Sequence, residues 1–248
     1  MLKDESEAIG MKRFLMLFQV ALFLILTVSL AGAVTITVAP ESTVVVDGNH
    51  YTLVTPPGGG GLMWEGNKAC LCAMTAFRAL QAFGTFLSLS EFDSHQISIT
   101  TGWNTHGPEE LFVDKMTWVA GVNFAYADPI TASPQLTLQD AWYNFTYQGN
   151  IYRVDSHYNN YRFSPVSSAP GYVAGWDFFA YRTAVQTGTA TPAQRNYFRD
   201  IIRPQIVANL EGQTWFDVAV TPVPLPGTVW LLVAGLAKVV GLRLRTKA

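Results

Sequence analysis

Ile99-Thr100-Thr101-Gly102-Trp103-Asn104-Thr105-His106-Gly107-Pro108-Glu109-Glu110-Leu111-Phe112 passes from strand to turn to helix without a pause. The β-branched run at Ile99-Thr100-Thr101 predicts the end of a strand, and Gly102 punctuates a turn. Gly107 reads as an N-cap, with Pro108 in the first helical position. Glu109 and Glu110 complement the positive end of a helix that continues through Leu111, Phe112, Val113 and Met116. A strand delivered straight into a helix calls for a fold that packs both. Trp103, Asn104 and His106 are not explained by starting the helix, and loops held by rigid elements are where binding and catalytic groups gather.

Upstream, Asn67–Phe83 (NKACLCAMTAFRALQAF) is the clearest helix. Its residues are good helix formers, Asn67 can cap it, and Gly84 can end it. Ala69, Ala73, Ala76, Phe77, Leu80 and Phe83 recur at helical spacing and are expected to face the core. Both cysteines of the chain, Cys70 and Cys72, stand in its first turns. On a continuous helix two such residues diverge by ~200°, a poor geometry for a mutual disulfide, and they cannot both aim at one site unless the helix begins after them.

The other segments fit the same mixed pattern. Thr35–Val38 alternates like a strand. Thr43–Val46 and Tyr51–Val54 flank the turn Asp47-Gly48-Asn49 and predict a hairpin. Thr55-Pro56-Pro57 and Gly58–Gly61 read as a linker. Gln96–Thr100, Val122–Ala127, Trp142–Tyr147 and Ile151–Val154 read as strands, the last two joined across Gln148-Gly149-Asn150. Leu138–Ala141 suggests a helical turn, and Gly175–Val185 a helix. Thr191-Pro192-Ala193-Gln194 carries the capping-box pattern and opens a helix through Asn209 with a kink near Pro204. The fold class expected is α+β: a single domain with a mixed or antiparallel sheet packed with several helices.

Composition and the two ends bound the setting. Of 248 residues 49% are hydrophobic and 14% charged, which supports a buried core and argues against disorder. The net charge of −2 leaves no basic footprint, so nucleic acid is not an expected partner. Met11 is the better start, because Lys12 and Arg13 then lead an apolar run from Phe14 to Leu30, and Ala31-Gly32-Ala33 matches a signal-peptide cleavage site. Residues 1–33 are therefore expected to be a signal peptide.

At the other end, Thr221-Pro222-Val223-Pro224-Leu225-Pro226-Gly227 is a stiff entry to the apolar run Thr228–Leu242, closed by Arg243, Arg245 and Lys247. This order resembles the PEP-CTERM sorting tail, in its Val-Pro-Leu-Pro variant. The resemblance implies an exosortase-like processing enzyme as partner and a C-terminal hydrophobic helix in the inner membrane before processing. Basic residues after the helix would stay on the cytoplasmic side. The protein is thus expected to be exported to the periplasm, outer surface or extracellular matrix of a Gram-negative bacterium.

Two blocks point to the domain between the ends. Cys70-Leu71-Cys72-Ala73-Met74-Thr75-Ala76-Phe77-Arg78-Ala79 resembles the N-terminal helix of domains like the E component of formylmethanofuran dehydrogenase. Thr101–Leu111 resembles that family's second signature, a strand ending in Thr-Gly followed by a Thr-x-Gly turn. The organisation expected is 1–33 signal peptide, 34–62 hairpin and glycine-rich linker, 63–220 formylmethanofuran dehydrogenase-like domain, and 221–248 sorting tail.

The resemblance implies a divalent metal such as zinc. By residue type Cys70, His106, His95 and Cys72 are the candidate ligands, with His106 in the family's loop and Trp103 and Asn104 beside the substrate, though His95 and His106 flank a strand and meet only if a turn brings them together. The family's Gly-His-x-Cys-Pro-Gly stands here without the His, Pro and Gly, so a non-enzymatic cell-envelope or biofilm-matrix protein with a vestigial pocket is the alternative. A thiol enzyme using Cys70 and His106, with Asn104 as orienter, is the third reading.

Overall fold

The computed structural model describes residues 32–40, 43–53, 70–128 and 137–222. Residues 1–31 of the expected signal peptide, the glycine linker with the Asn67 cap, and the apolar tail from 223 onward lie outside the described residues. By its contacts the chain divides into a unit Ala33–Val220 and a second, Met1–Gly32 with Thr221–Ala248, which falls almost wholly outside them. Among the described residues no helix is long and apolar enough to cross a membrane.

The unit Ala33–Val220 is built on one mixed six-stranded sheet. Its strands are β1 (Val34–Val38), β4 (Ser98–Thr101), β5 (Phe124–Tyr126), β6 (Trp142–Tyr147), β7 (Asn150–Ser156) and β8 (Thr214–Pro222), in the order β1-β8-β7-β6-β4-β5. Strands β2 (Val44–Val46) and β3 (Asn49–Tyr51) form a separate hairpin. Both hairpin turns have the twist that antiparallel strands need, with positive φ at Asp47 (48°) and Gly48 (77°), and at Gln148 (48°) and Gly149 (72°). β1 pairs antiparallel with β8, from Val34↔Val218 to Val38↔Thr214. The sequence reading set 34–62 apart from the following domain, but β1 belongs to the main sheet. It missed β8 because Thr214–Pro222 runs directly into the proline-rich tail.

Helix α1 (Leu71–Leu87) is the centre of the unit. It packs against β1, β6 and β7 and against the helices that follow β4 and precede β8. The helical spacing predicted one core face, yet every residue from Leu71 to Gly84 is buried. Ala73, Ala76, Ala79 and Ala82 let neighbours approach closely, while Phe77, Leu80 and Phe83 fill the space against the sheet. Phe83 stacks on Phe145 of β6 with centroids 4.6 Å apart, and Phe112 packs edge-on to Trp118 at 5.4 Å. Each such ring contributes ~1.5–3 kcal/mol by leaving water.

Gly84 does not end the helix as expected; Phe92 covers it, and an added Cβ would stand 2.5 Å from the ring. The helix stops at Ser88, left-handed at φ 56°, whose N–H reaches the carbonyls of Gly84 and Thr85.

β4 and β5 are parallel, so the chain between them must cross over. Helix α2 (His106–Glu109), continued by a π-helical turn Glu110–Lys115, makes that crossing. Its N-cap is Thr105, not Gly107. Helix α3 (Phe178–Gln186) is capped by Asp177, whose carboxylate accepts from Ala180 N at 2.9 Å. Helix α4 (Pro192–Tyr197) has the Thr191/Gln194 capping box that its sequence announced. The kink expected near Pro204 is a π-helical turn, Phe198–Ile202, which leads into α5 (Arg203–Glu211).

Candidate functional site

The loop 102–105 leaves the carboxyl end of a parallel strand, a place where open α/β arrangements leave a crevice. Hydrogen bonds fix its course. Thr101 Oγ1 donates to the Trp142 carbonyl (2.9 Å) and accepts from Trp103 N (3.0 Å). Tyr126 Oη donates to the Thr105 carbonyl (2.6 Å) and accepts from Glu109 N (3.2 Å). Gly102 has no room for a side chain, since a Cβ would sit 2.1 Å from Trp142 Nε1. The loop therefore delivers Gly107 onto the start of α1, where a Cβ would meet the Cys70 sulfur at 2.8 Å and the Cys72 Cβ at 2.6 Å.

Cys70 is the N-cap of α1, with extended backbone (φ −77°, ψ 101°). Because it lies outside the helix, the divergence expected for two helical positions does not apply. The Cys70 thiol donates to the Cys72 sulfur. Arg182 of α3 donates to the same sulfur, Nη2 to Sγ, at 2.8 Å. Its guanidinium faces the rings of Trp103 (5.7 Å) and Phe178 (5.9 Å).

These contacts set the charges. The Cys72 pKa falls below the ordinary thiol value because Cys70 donates to it; burial opposes this, and the Arg182 charge and the Thr105 hydroxyl add to the lowering. The Cys70 pKa rises because it is the donor, because it is buried, and because Cys72 carries the negative charge. The Thr105 hydroxyl is buried and otherwise has no hydrogen-bond partner of ordinary geometry. The two thiols, Leu71, Arg182, Val185, Gln186, Phe198 and Arg203 line a pocket of about 210 Å³. The π-helical turn before α5 supplies Phe198 and sets the start of Arg203; such turns recur at functional sites.

A second polar network supports the site from behind. Tyr161 Oη bonds to Thr75 Oγ1 (3.1 Å) of α1 and Ser156 Oγ (3.0 Å) of β7. Asn160 Nδ2 donates to Ser156 Oγ (3.1 Å) and to the Trp215 carbonyl of β8 (2.8 Å). Tyr161 also stacks on Phe178 at 5.4 Å, one turn before Arg182.

The sequence-expected residues separate into two places. Cys70 and Cys72 meet, and the 102–110 loop closes over them. His106 is next to Gly107, but its ring is 84% exposed and lies 3.9 Å from Glu109. His95 stands elsewhere, its ring 85% exposed and 3.4 Å from Asp93. With Asp47 these two form the one group of three candidate ligands found among the described residues. Asp47 there accepts from Ser94 N (3.0 Å), Ser94 Oγ (2.6 Å) and Thr117 Oγ1.

Trp103 is wholly buried behind Arg182, and Asn104 is half-buried; neither lines the pocket. The donor set beside the loop is thus two sulfurs with a guanidinium against one of them. Zinc takes three or four protein ligands, and among the described residues only these two sulfurs meet here.

Arg182 and Arg203 were missed by the sequence reading. Arg182 did leave a signal, since it stands four residues after Phe178 on the apolar face of Gly175–Val185. No family model matches this chain, and no curated protein or solved structure is similar to it.

Proposed function

We propose that this chain is an exported, envelope-sorted protein whose chemistry is that of a dithiol: Cys70 and Cys72 cycling between free thiols and a mutual disulfide. The observation that carries the reading is the 2.8 Å bond from Arg182 to Cys72, beside a second thiol that donates to the same sulfur. A guanidinium stabilises a thiolate, which is the reactive form in thiol–disulfide exchange. The same charge opposes a divalent cation. The signal-like N-terminus and the tail after Pro222 support export, and an oxidising compartment suits a disulfide-forming pair.

A second reading keeps the metal implied by the formylmethanofuran dehydrogenase resemblance, held by both sulfurs; it is favoured by their contact and opposed by Arg182. One experiment separates the two. The full-length protein is purified anaerobically, assayed for metal, and titrated for thiols before and after a small disulfide oxidant. The dithiol reading expects no bound metal, two titratable thiols, and none after oxidation, with no adduct on the oxidised wild type, whereas Cys70→Ser and Cys72→Ser keep the oxidant as a mixed disulfide. Stoichiometric zinc that resists oxidation overturns it. For sorting, removal of residues 223–248 is expected to release the protein from the cell surface, and continued retention refutes that part.

A further inference from the structure

The pocket beside Cys72 is small and opens to solvent on one side, with the sulfur at its buried end. Cys72 is 2% exposed and Cys70 half-buried, so a small molecule reaches the Cys72 sulfur more readily than another protein's disulfide does. A cavity of about 210 Å³ suits a small molecule, below the usual size of a drug-sized ligand pocket. What surrounds the sulfur is also specific. Arg182 Nη2 donates to it, the Thr105 hydroxyl is buried with no other partner of ordinary geometry, and the Cys70 thiol lies in contact.

We propose that the Cys70–Cys72 pair is a hydroperoxide-reducing site, in which Cys72 is the sulfur oxidised first, Arg182 binds the peroxide oxygens within the pocket, Thr105 supports the Cys72 sulfur from the loop side, and Cys70 is the resolving thiol. This role rests on the dithiol reading, with a hydroperoxide as the oxidant.

The Cys72 thiolate attacks the terminal oxygen of a hydroperoxide ROOH, forming an S–O bond while the O–O bond breaks. Cys72 becomes the sulfenic acid, and RO⁻ leaves against the Arg182 guanidinium. RO⁻ takes the proton of the Cys70 thiol and departs as ROH. The Cys70 thiolate then attacks the Cys72 sulfur, forming the disulfide and expelling hydroxide. The two sulfurs together lose two electrons, and the peroxide bond gains them. A small external dithiol restores the reduced pair by exchange through Cys70, the more exposed sulfur.

The geometry explains why each group is needed. A sulfenic acid without a neighbouring thiol is open to further oxidation, and Cys70 stands in contact to prevent it. The donors at Cys72 come from separate elements, α3 and the 102–105 loop, so they converge only in the folded chain. The apolar wall of Leu71, Val185 and Phe198 suits the alkyl group of a short alkyl hydroperoxide.

The test uses the reduced full-length protein mixed with hydrogen peroxide and, separately, with a small disulfide. The expected result is thiol loss with peroxide on the order of a hundredfold faster than for free cysteine, giving the intramolecular disulfide. In Cys70→Ser, intact mass spectrometry is expected to show a single added oxygen, and peptide mapping is expected to place it on Cys72. Arg182→Met is expected to slow the peroxide reaction at least about tenfold, while circular dichroism reports whether that variant is folded. If the small disulfide oxidises the pair but peroxide reacts no faster than with free cysteine, this inference falls and the dithiol reading stands. If neither closes the bond, both fall.

Discussion

Gly107 lies directly against Cys70: a Cβ at position 107 would stand 2.8 Å from the Cys70 sulfur. The loop after β4 and the start of α1 are therefore fitted to each other at van der Waals distance, with the Ala73 backbone nitrogen 2.9 Å from the same point. Gly107→Ala must push the loop away from the cysteines. The expected cost is ~1–3 kcal/mol, as for other overpacked sites, read as a lower urea midpoint. Iodoacetamide labelling of Cys70 should speed up in the same variant as the cover loosens.

Arg182 holds charge on a sulfur that burial alone would keep neutral. The thiolate absorbance near 240 nm should persist in the wild type well below the ordinary thiol pKa of about 8.5. Arg182→Met should move that titration upward, toward the ordinary value, because the Cys70 hydrogen bond then opposes desolvation without the guanidinium. An unchanged titration curve would contradict the assigned role of the guanidinium.

The same pair links stability to pH. The Cys72 pKa is lower in the folded chain than in the unfolded one, so between the two values the unfolded chain binds more protons. Stability then rises with pH through that window, is fully present above the unfolded thiol value of about 8.5, and is lost as pH falls through the folded value. Cys70, raised in the folded state, acts oppositely above the unfolded value. Urea midpoints measured from pH 5 to 8 should climb more steeply in the wild type than in Cys72→Ser.

Arg78 is 1% exposed in the middle of α1. Its Nη1 donates to Gln81 Oε1 at 2.7 Å, and its Nη2 donates to the Gly212 carbonyl just past α5. Burial lowers its pKa to about 10, which still leaves the side chain charged at neutral pH. Arg78→Met keeps the apolar stem and removes both bonds. The expected loss is ~2–3 kcal/mol, measured by chemical unfolding, with little change in thiol titration.

Much of this fold was legible because its local signals agree with its packing. The Gln148-Gly149 turn, the Thr191/Gln194 capping box and the Trp142–Tyr147 strand stand where alternation and turn chemistry put them. The approach of the 102–110 loop to Cys70 was legible too. What the sequence hid was set by distance along the chain. Only tertiary contact brings Arg182 to Cys72, 110 residues away. Helical phase placed Ala79 and Ala82 off the core face, but α1 is enclosed on all sides. His106 looked like a ligand beside Cys70, and its ring instead turns to solvent beside Glu109, while His95 groups with Asp47 and Asp93 away from the cysteines.

The pairing of β1 with β8 has a consequence for how the molecule is made. Thr35 donates its hydroxyl proton to Asp217, 182 residues later, and the register from Val34↔Val218 onward gives β1 its place in the sheet. The first strand to emerge from any ribosome or export channel must wait for the last one. Closing so long a loop is slow relative to local hairpin formation. A chain wired in this way stays open to threading until its C-terminal strand arrives, and then locks both ends of the domain in one event.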